Sequence, residues 1–87
     1  MHRLQLIMKF DILGFGIVRE IFGNDAVATE LPDKATVGDL KSALESRYPE
    51  LRRLASYMIA CDNHYAETST VLSNGNEIAV IPPVSGG

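Results

Sequence analysis

The residues of this chain best suited to chemistry are its last six, Pro82-Pro83-Val84-Ser85-Gly86-Gly87. The α-carboxylate of Gly87 has no side chain beside it, and Gly86 lacks a Cβ, so the backbone here can thread a channel too narrow for any other residue. A carboxylate presented in this way can be activated. The plain route is attack by one of its oxygens on the phosphate of ATP to give an acyl-adenylate, which a nucleophile can then displace. Pro82 and Pro83 complement the glycines, because a proline fixes its own φ at about −65° and pushes the residue before it toward extended conformations. The segment is therefore expected to be an extended tail, residues 82–87, stiff at its prolines, leading through Val84 and Ser85 to a flexible tip. The folded domain that carries it is residues 1–81.

A second arrangement invites a chemical reading. Cys61 and His64 flank Asp62-Asn63, a turn-forming pair, so a hairpin there sets a thiol beside an imidazole. A third, orienting group is missing, and one Cys with one His falls short of a four-ligand zinc site. The expectation is a structural cysteine and no metal. The chain has no G-x-x-x-x-G-K-[ST] loop, no G-x-S-x-G elbow and no H-E-x-x-H helix, so stand-alone hydrolase or nucleotide-binding activity lacks residues to carry it.

The bulk properties narrow the partners. Eight basic and eleven acidic residues leave a net charge of −3, which nucleic-acid phosphates and anionic membranes repel at long range. Arg47, Arg52 and Arg53 lie among Glu45 and Glu50 and read as a solvated helix end. No apolar run approaches the roughly 18 residues of a membrane span, and Met1-His2-Arg3-Leu4 leads into alternation rather than a signal-peptide core, so the expectation is a cytoplasmic protein. A single cysteine, which has no internal disulfide partner, agrees with a reducing compartment.

The elements that must position the tail are legible in the hydrophobic pattern. Leu4, Leu6, Met8, Phe10 and Ile12 alternate with Gln5, Ile7, Lys9 and Asp11, the period of a strand with one buried face. Gly14-Phe15-Gly16 ends it. Ile17 to Phe22 has helical spacing, and Val27, Thr29 and Leu31 mark a second strand stopped by Pro32-Asp33. Thr36 and Asp39 make a capping box for a helix whose apolar face is Val37, Leu40, Ala43, Leu44 and Tyr48, ending at Pro49. Glu50 to Leu54 reads as a further turn of helix. Tyr57 to Cys61 is a short strand apolar on both faces, His64 to Ala66 a very short edge strand, and Glu77 to Ile81 the last strand after the turn Ser73-Asn74-Gly75-Asn76. A hairpin, one main helix packed across the sheet, then more strands is the order of the α+β β-grasp fold, shared by ubiquitin, in which first and last strands lie parallel in a mixed sheet. Alternation along the last strand puts Ile78 and Val80 on the core face and Ala79 and Ile81 opposite.

The run Ile81-Pro82-Pro83-Val84-Ser85-Gly86-Gly87 resembles the ending of the molybdopterin-synthase small subunit, the MoaD-type sulfur carriers, which close on P-P-V-[ST]-G-G. Val18 to Gly23, Ala35 to Leu44 and Asn74 to Ala79 also sit where that family has counterparts, so the likeness covers most of the chain. It departs in an N-terminal extension, which makes Met8 an alternative start, in Gly16, where Ala is commoner, and in Asp62, where Asn is commoner. The resemblance implies that Gly87 is converted to a thiocarboxylate by a ubiquitin-activating-enzyme-like adenylyltransferase, which uses ATP and sulfur relayed from a persulfide. It also implies delivery to the molybdopterin synthase large subunit, where the sulfur passes to cyclic pyranopterin monophosphate. The chain itself then binds no cofactor and is no enzyme alone. By the same resemblance Phe15 and Tyr65 join Ile81 in an exposed apolar docking patch, whereas Arg19 and Glu20 read as surface charges. Other readings stay open: a ubiquitin-like modifier that joins Gly87 to a lysine, a carrier for thiamine or another sulfur pathway, or a β-grasp module that docks without covalent chemistry.

Overall fold

A computed structural model describes residues 7–54 and 56–83. The expected start of the first strand at Leu4 and the tail residues Val84 to Gly87 lie outside these. The first strand, β1, is Ile7–Gly14, and its alternation is realised in full: Met8, Phe10, Ile12 and Gly14 are buried, and the residues between them are exposed. A short helix, α1 (Ile17–Phe22), closes on Gly23 in the left-handed region, whose N–H donates to the carbonyls of Arg19 and Glu20. Strand β2 (Ala26–Pro32) returns antiparallel to β1, with Ile12 opposite Val27 and Met8 opposite Leu31. Pro32, which has no N–H for a ladder, is tolerated because β2 lies at the edge of the sheet.

The main helix, α2 (Val37–Arg47), begins as expected. The Thr36 hydroxyl accepts from the Asp39 N–H at 3.2 Å and the Asp39 carboxylate accepts from the Thr36 N–H at 2.9 Å. The two first-turn N–H groups without intrahelical partners are met by a neighbouring loop, Val37 N–H by the Thr70 carbonyl and Gly38 N–H by the Thr68 carbonyl, both at 2.9 Å. Pro49 ends α2 by pushing Tyr48 out of the helical region (φ −129°, ψ 80°), and a 3-10 turn, Pro49–Arg53, follows.

Strands β3 (Met58–Cys61), β4 (His64–Ala66) and β5 (Ile78–Ile81) complete a five-stranded sheet in the order β2-β1-β5-β3-β4. The first and last strands are parallel, Ile12 beside Ile78 and Gly14 beside Val80, and every other pairing is antiparallel. This is the mixed sheet expected from the element order. Val37, Leu40 and Leu44 of α2 meet Phe10, Ile12, Ile59, Ile78 and Val80 of the sheet in one core, with Val18 and Phe22 of α1 closing one end. Tyr48 and Ala43, assigned to the helix face by spacing, are partly buried against the same core.

The strand apolar on both faces turns out to begin one residue later than expected, and only one of its faces is buried: Ile59 is in the core and Met58 is exposed. Its second apolar face is therefore surface. The segment before β5 held a core contribution that spacing did not reveal. Leu72 is buried, donates its N–H to the Ala35 carbonyl at 2.8 Å, and ties residues 67–72 across the start of α2.

Gly14 is required for steric reasons. A Cβ there would lie 2.8 Å from Cδ2 of Phe22 and 3.1 Å from Cγ1 of Val18, and the Phe22 ring is itself held against Tyr48, centroids 4.9 Å apart. Gly14→Ala is expected to lower the unfolding free energy by about 1–3 kcal/mol, the range for overpacked cores. A urea midpoint equal to that of the native chain would show that Phe22 moves freely aside.

Candidate functional site: the root of the tail and the open sheet face

With Ile78 and Val80 fully buried, Ala79 and Ile81 fall on the face of the sheet that α2 does not cover, as the alternation requires. The register extends that face sideways. Leu13 of β1 stands beside Ala79, Ala79 opposite Ala60 of β3, and Ala60 opposite Tyr65 of β4, while Met58 is opposite Ile81. The two alanines are short and their neighbours are long, so the middle of the face is a depression of ≈ 190 Å³. Leu13, Phe15, Ala60, Ala79 and Ile81 line it, with Asn63 and Glu77 adding polarity at its rim.

Phe15 and Ile81 thus share one depression, and Tyr65, 67% exposed, stands at the outer end of the same row. Leu13, Met58, Ala60 and Ala79 belong to this surface and were not singled out from the sequence. The signal that could have found them is the double apolar face of β3. Leu13, Phe15, Met58 and Tyr65 are all more than 40% exposed. Together these side chains form an exposed apolar patch on the open face.

The tail leaves from the edge of this surface. Phe15 N–H donates to the Val80 carbonyl at 3.3 Å, the last backbone bond between the β1 end and β5. Pro82 is half-buried and Pro83 exposed. Val84, Ser85, Gly86 and Gly87, which carry the tail chemistry read from the sequence, lie outside the described residues.

The Cys61–His64 pair forms as a hairpin. The two residues are directly opposite, and Asp62 and Asn63 between them have φ of 51° and 70°, the left-handed conformations of a tight two-residue turn. Partial burial, reinforced by the negative charge of Asp62, pushes the Cys61 thiol above its ordinary pKa, away from the thiolate a nucleophile needs. Asp62 is engaged elsewhere, accepting from Asn76 Nδ2 at 2.7 Å and from Glu77 N–H at 2.8 Å, which pins the start of β5 to the β3–β4 turn. Among the described residues no group of three or more His, Cys, Asp or Glu is placed to hold a metal.

Several of the remaining charges have structural partners. Arg47 donates from Nη1 to the Ala28 carbonyl at 2.7 Å on the sheet edge, and Arg52 lies 3.6 Å from Glu45. Arg19 pairs with Asp25 at 2.9 Å rather than with its neighbour Glu20. On the helix side of the sheet the Tyr57 hydroxyl donates to Glu45; burial, then this bond, raises its pKa above the ordinary phenol value. None of the described helices is long and apolar enough to cross a membrane.

A mixed five-stranded sheet with parallel first and last strands and one main helix crossing it defines a ubiquitin-like protein of the β-grasp class. Comparison with known proteins assigns it further: residues 12–87 match the ThiS family, and the chain belongs to that family. The molybdopterin synthase sulfur carrier subunit of Mycobacterium tuberculosis is 36% identical over an alignment of 83 residues that covers 93% of this chain and 100% of that one. The crystal structure of SAMP1 from Haloferax volcanii matches with 27% identity and a TM-score of 0.77 over 91% of this chain and 99% of that one. The fold is also that of a chain in the complex of subunits 1 and 2 of the molybdopterin-converting factor from Helicobacter pylori (22% identity, TM-score 0.66, 92% and 100% coverage).

Proposed function

We propose that this protein is the sulfur carrier of molybdenum cofactor synthesis, with the carboxylate of Gly87 as its working group. The observation that carries this reading is the reach of the family match. It runs through residue 87, so the stretch matched by the family model includes Gly86 and Gly87, and the sulfur carrier subunit of M. tuberculosis is a relative over 93% of this chain.

In the proposed cycle an adenylyltransferase partner binds ATP, and a Gly87 carboxylate oxygen attacks the α-phosphorus. Pyrophosphate leaves and an acyl-adenylate remains. A sulfide equivalent attacks the carbonyl carbon, AMP departs with the original carboxylate oxygen, and the terminus becomes a thiocarboxylate. Within the large subunit of molybdopterin synthase the thiocarboxylate sulfur bonds to a carbon of cyclic pyranopterin monophosphate as an oxygen substituent leaves that carbon. Water then cleaves the acyl–sulfur bond and restores the carboxylate. This chain supplies sulfur and the large subunit supplies catalysis, all in the cytoplasm. The open face with Phe15, Tyr65 and Ile81 serves docking; Pro82, Pro83, Val84 and Ser85 carry the terminus into the partner.

The test is an intact mass of the protein from its native cell. Part of the pool is expected to have one oxygen replaced by sulfur, localised by fragmentation to Gly87. Complete absence of that species while the cell is making molybdenum cofactor would overturn the reading. A second reading is favoured by the likeness to SAMP1, because the small archaeal modifier protein 1 of the same organism is named as a modifier. In that case Gly87 would be recovered in an isopeptide bond to lysine.

A further inference from the structure

We propose that the outer edge of β2 is a pairing surface for a second copy of this chain, and that Arg47 is the gate that holds this edge closed and the chain monomeric. Gly14 N–H donates to the Asp25 carbonyl at 2.9 Å, and the antiparallel register runs on from this rung without a break, from Leu13 beside Ala26 to Ile7 beside Pro32. Rungs of such a ladder alternate between bonded and unbonded pairs. Val27, Thr29 and Leu31 therefore bond inward to β1, while Ala26, Ala28, Glu30 and Pro32 turn their backbone groups away from the sheet.

An outward row of this kind is a template for another strand unless something blunts it. The opposite edge, β4, is blunted by being only 3 residues long. Strand β2 has 7. Its far end is closed by Pro32, which has no N–H and whose carbonyl accepts from Ala35 N–H at 3.1 Å. Among the described residues the other hydrogen bond to the outward row comes from the last turn of α2, where Arg47 Nη1 donates to the Ala28 carbonyl at 2.7 Å. The guanidinium is steadied over the Tyr48 ring, 5.2 Å from its centroid, and takes the position from which an incoming strand would donate.

The row that Arg47 interrupts fits a copy of itself. Antiparallel pairing about Ala28 sets Ala28 opposite its counterpart and Ala26 opposite Glu30 of the second copy, a two-fold contact in which every rung joins outward groups. The side chains agree with this register. Its central rung is alanine on alanine, the two Glu30 carboxylates do not face each other, and each keeps its own Lys9 partner at 3.6 Å. The Ala28 carbonyl lies at the centre of the register, so one arginine on each copy blocks the pairing at its middle. The gate does not depend on the chemistry of the tail.

The test is sedimentation equilibrium of native, Arg47→Ala and Arg47→Ala/Ala28→Pro chains over one dilution series, with thermal melts and amide hydrogen exchange alongside. The native chain is expected to stay monomeric. Arg47→Ala should dimerise with an association constant at least about tenfold above any the native chain shows, the scale of one hydrogen bond from a charged donor. The Ala28 and Glu30 amides should exchange more slowly in that dimer than in the native monomer. Ala28→Pro removes the central outward N–H, a change that an edge strand tolerates, and should return the Arg47→Ala chain to a monomer. If that double variant does not fold, Ala28→Glu replaces Ala28→Pro, because two carboxylates directly opposite each other break the same register. Ile81→Glu in the Arg47→Ala background should leave the dimer intact, since the open face takes no part in it. If Arg47→Ala does not fold, Arg47→Met, which keeps the aliphatic stem, is measured in its place. A folded chain that stays monomeric without the arginine overturns the proposal. So does a native dimer of equal strength, a dimer that survives substitution of Ala28, or one that is lost on Ile81→Glu.

Discussion

A chain extended by one alanine after Gly87 is expected to fold and dock like the native protein and to lose sulfur transfer by at least about a hundredfold. The added residue touches neither the core nor the open face, so its effect on stability should stay within the roughly 0.5 kcal/mol typical of surface changes. Docking through Phe15, Tyr65 and Ile81 should survive for the same reason. The carboxylate, however, moves by up to about 3.6 Å and acquires a Cβ beside it. Both changes are incompatible with an activating site that admits bare glycine backbone and aligns the carboxylate oxygen on a phosphorus. The measurement compares thiocarboxylate formation and molybdopterin synthesis by native and extended chains at equal concentration. Near-native transfer by the extended chain would remove Gly87 from its role. Retained docking with lost transfer separates a carrier from a module that only binds.

Ile81→Glu should weaken binding to the large subunit by about 2 kcal/mol or more, the scale of an interface hot spot, or roughly thirtyfold in Kd. Ile81 is the last residue of β5, half-buried, set against Met58 across the strand pair and lining the depression between Phe15 and Ala79. A carboxylate there joins Glu77 on the rim and must be desolvated when a partner covers the face. The substitution leaves Ile78 and Val80 in the core, so loss of binding is not loss of fold, and a thermal melt run alongside checks this. Calorimetric titration with the large subunit reads the effect. Unchanged affinity would move the interface off this face.

The two predictions draw on information of different kinds. The tail is written into the sequence outright: prolines that stiffen it, glycines that bare its end, and a run shared with a family of carriers. The elements are nearly as legible, because alternation in β1 and β5, helical spacing in α2 and the Thr36–Asp39 capping box are all local patterns. Each is fixed by residues within a few positions of one another, and the structure reproduces them. The parallel pairing of β1 with β5 followed from element order.

Only the tertiary structure decided what lies beside what across the sheet. The row Leu13, Ala79, Ala60, Tyr65 joins four strands, and three of its members are side chains that spacing marks merely as apolar or small. Register between strands distant in the chain is set by the joint packing of α2, α1 and the sheet, and no local pattern carries it. The same holds for residues 67–72, whose carbonyls cap α2, and for Asp62, whose carboxylate pins the start of β5. The sequence by itself set out the residue types of 82–87 from which the tail chemistry is proposed, because they adjoin one another in the chain. The open face beside Pro82 was decided by long-range packing, since it depends on distances between residues that only folding brings together.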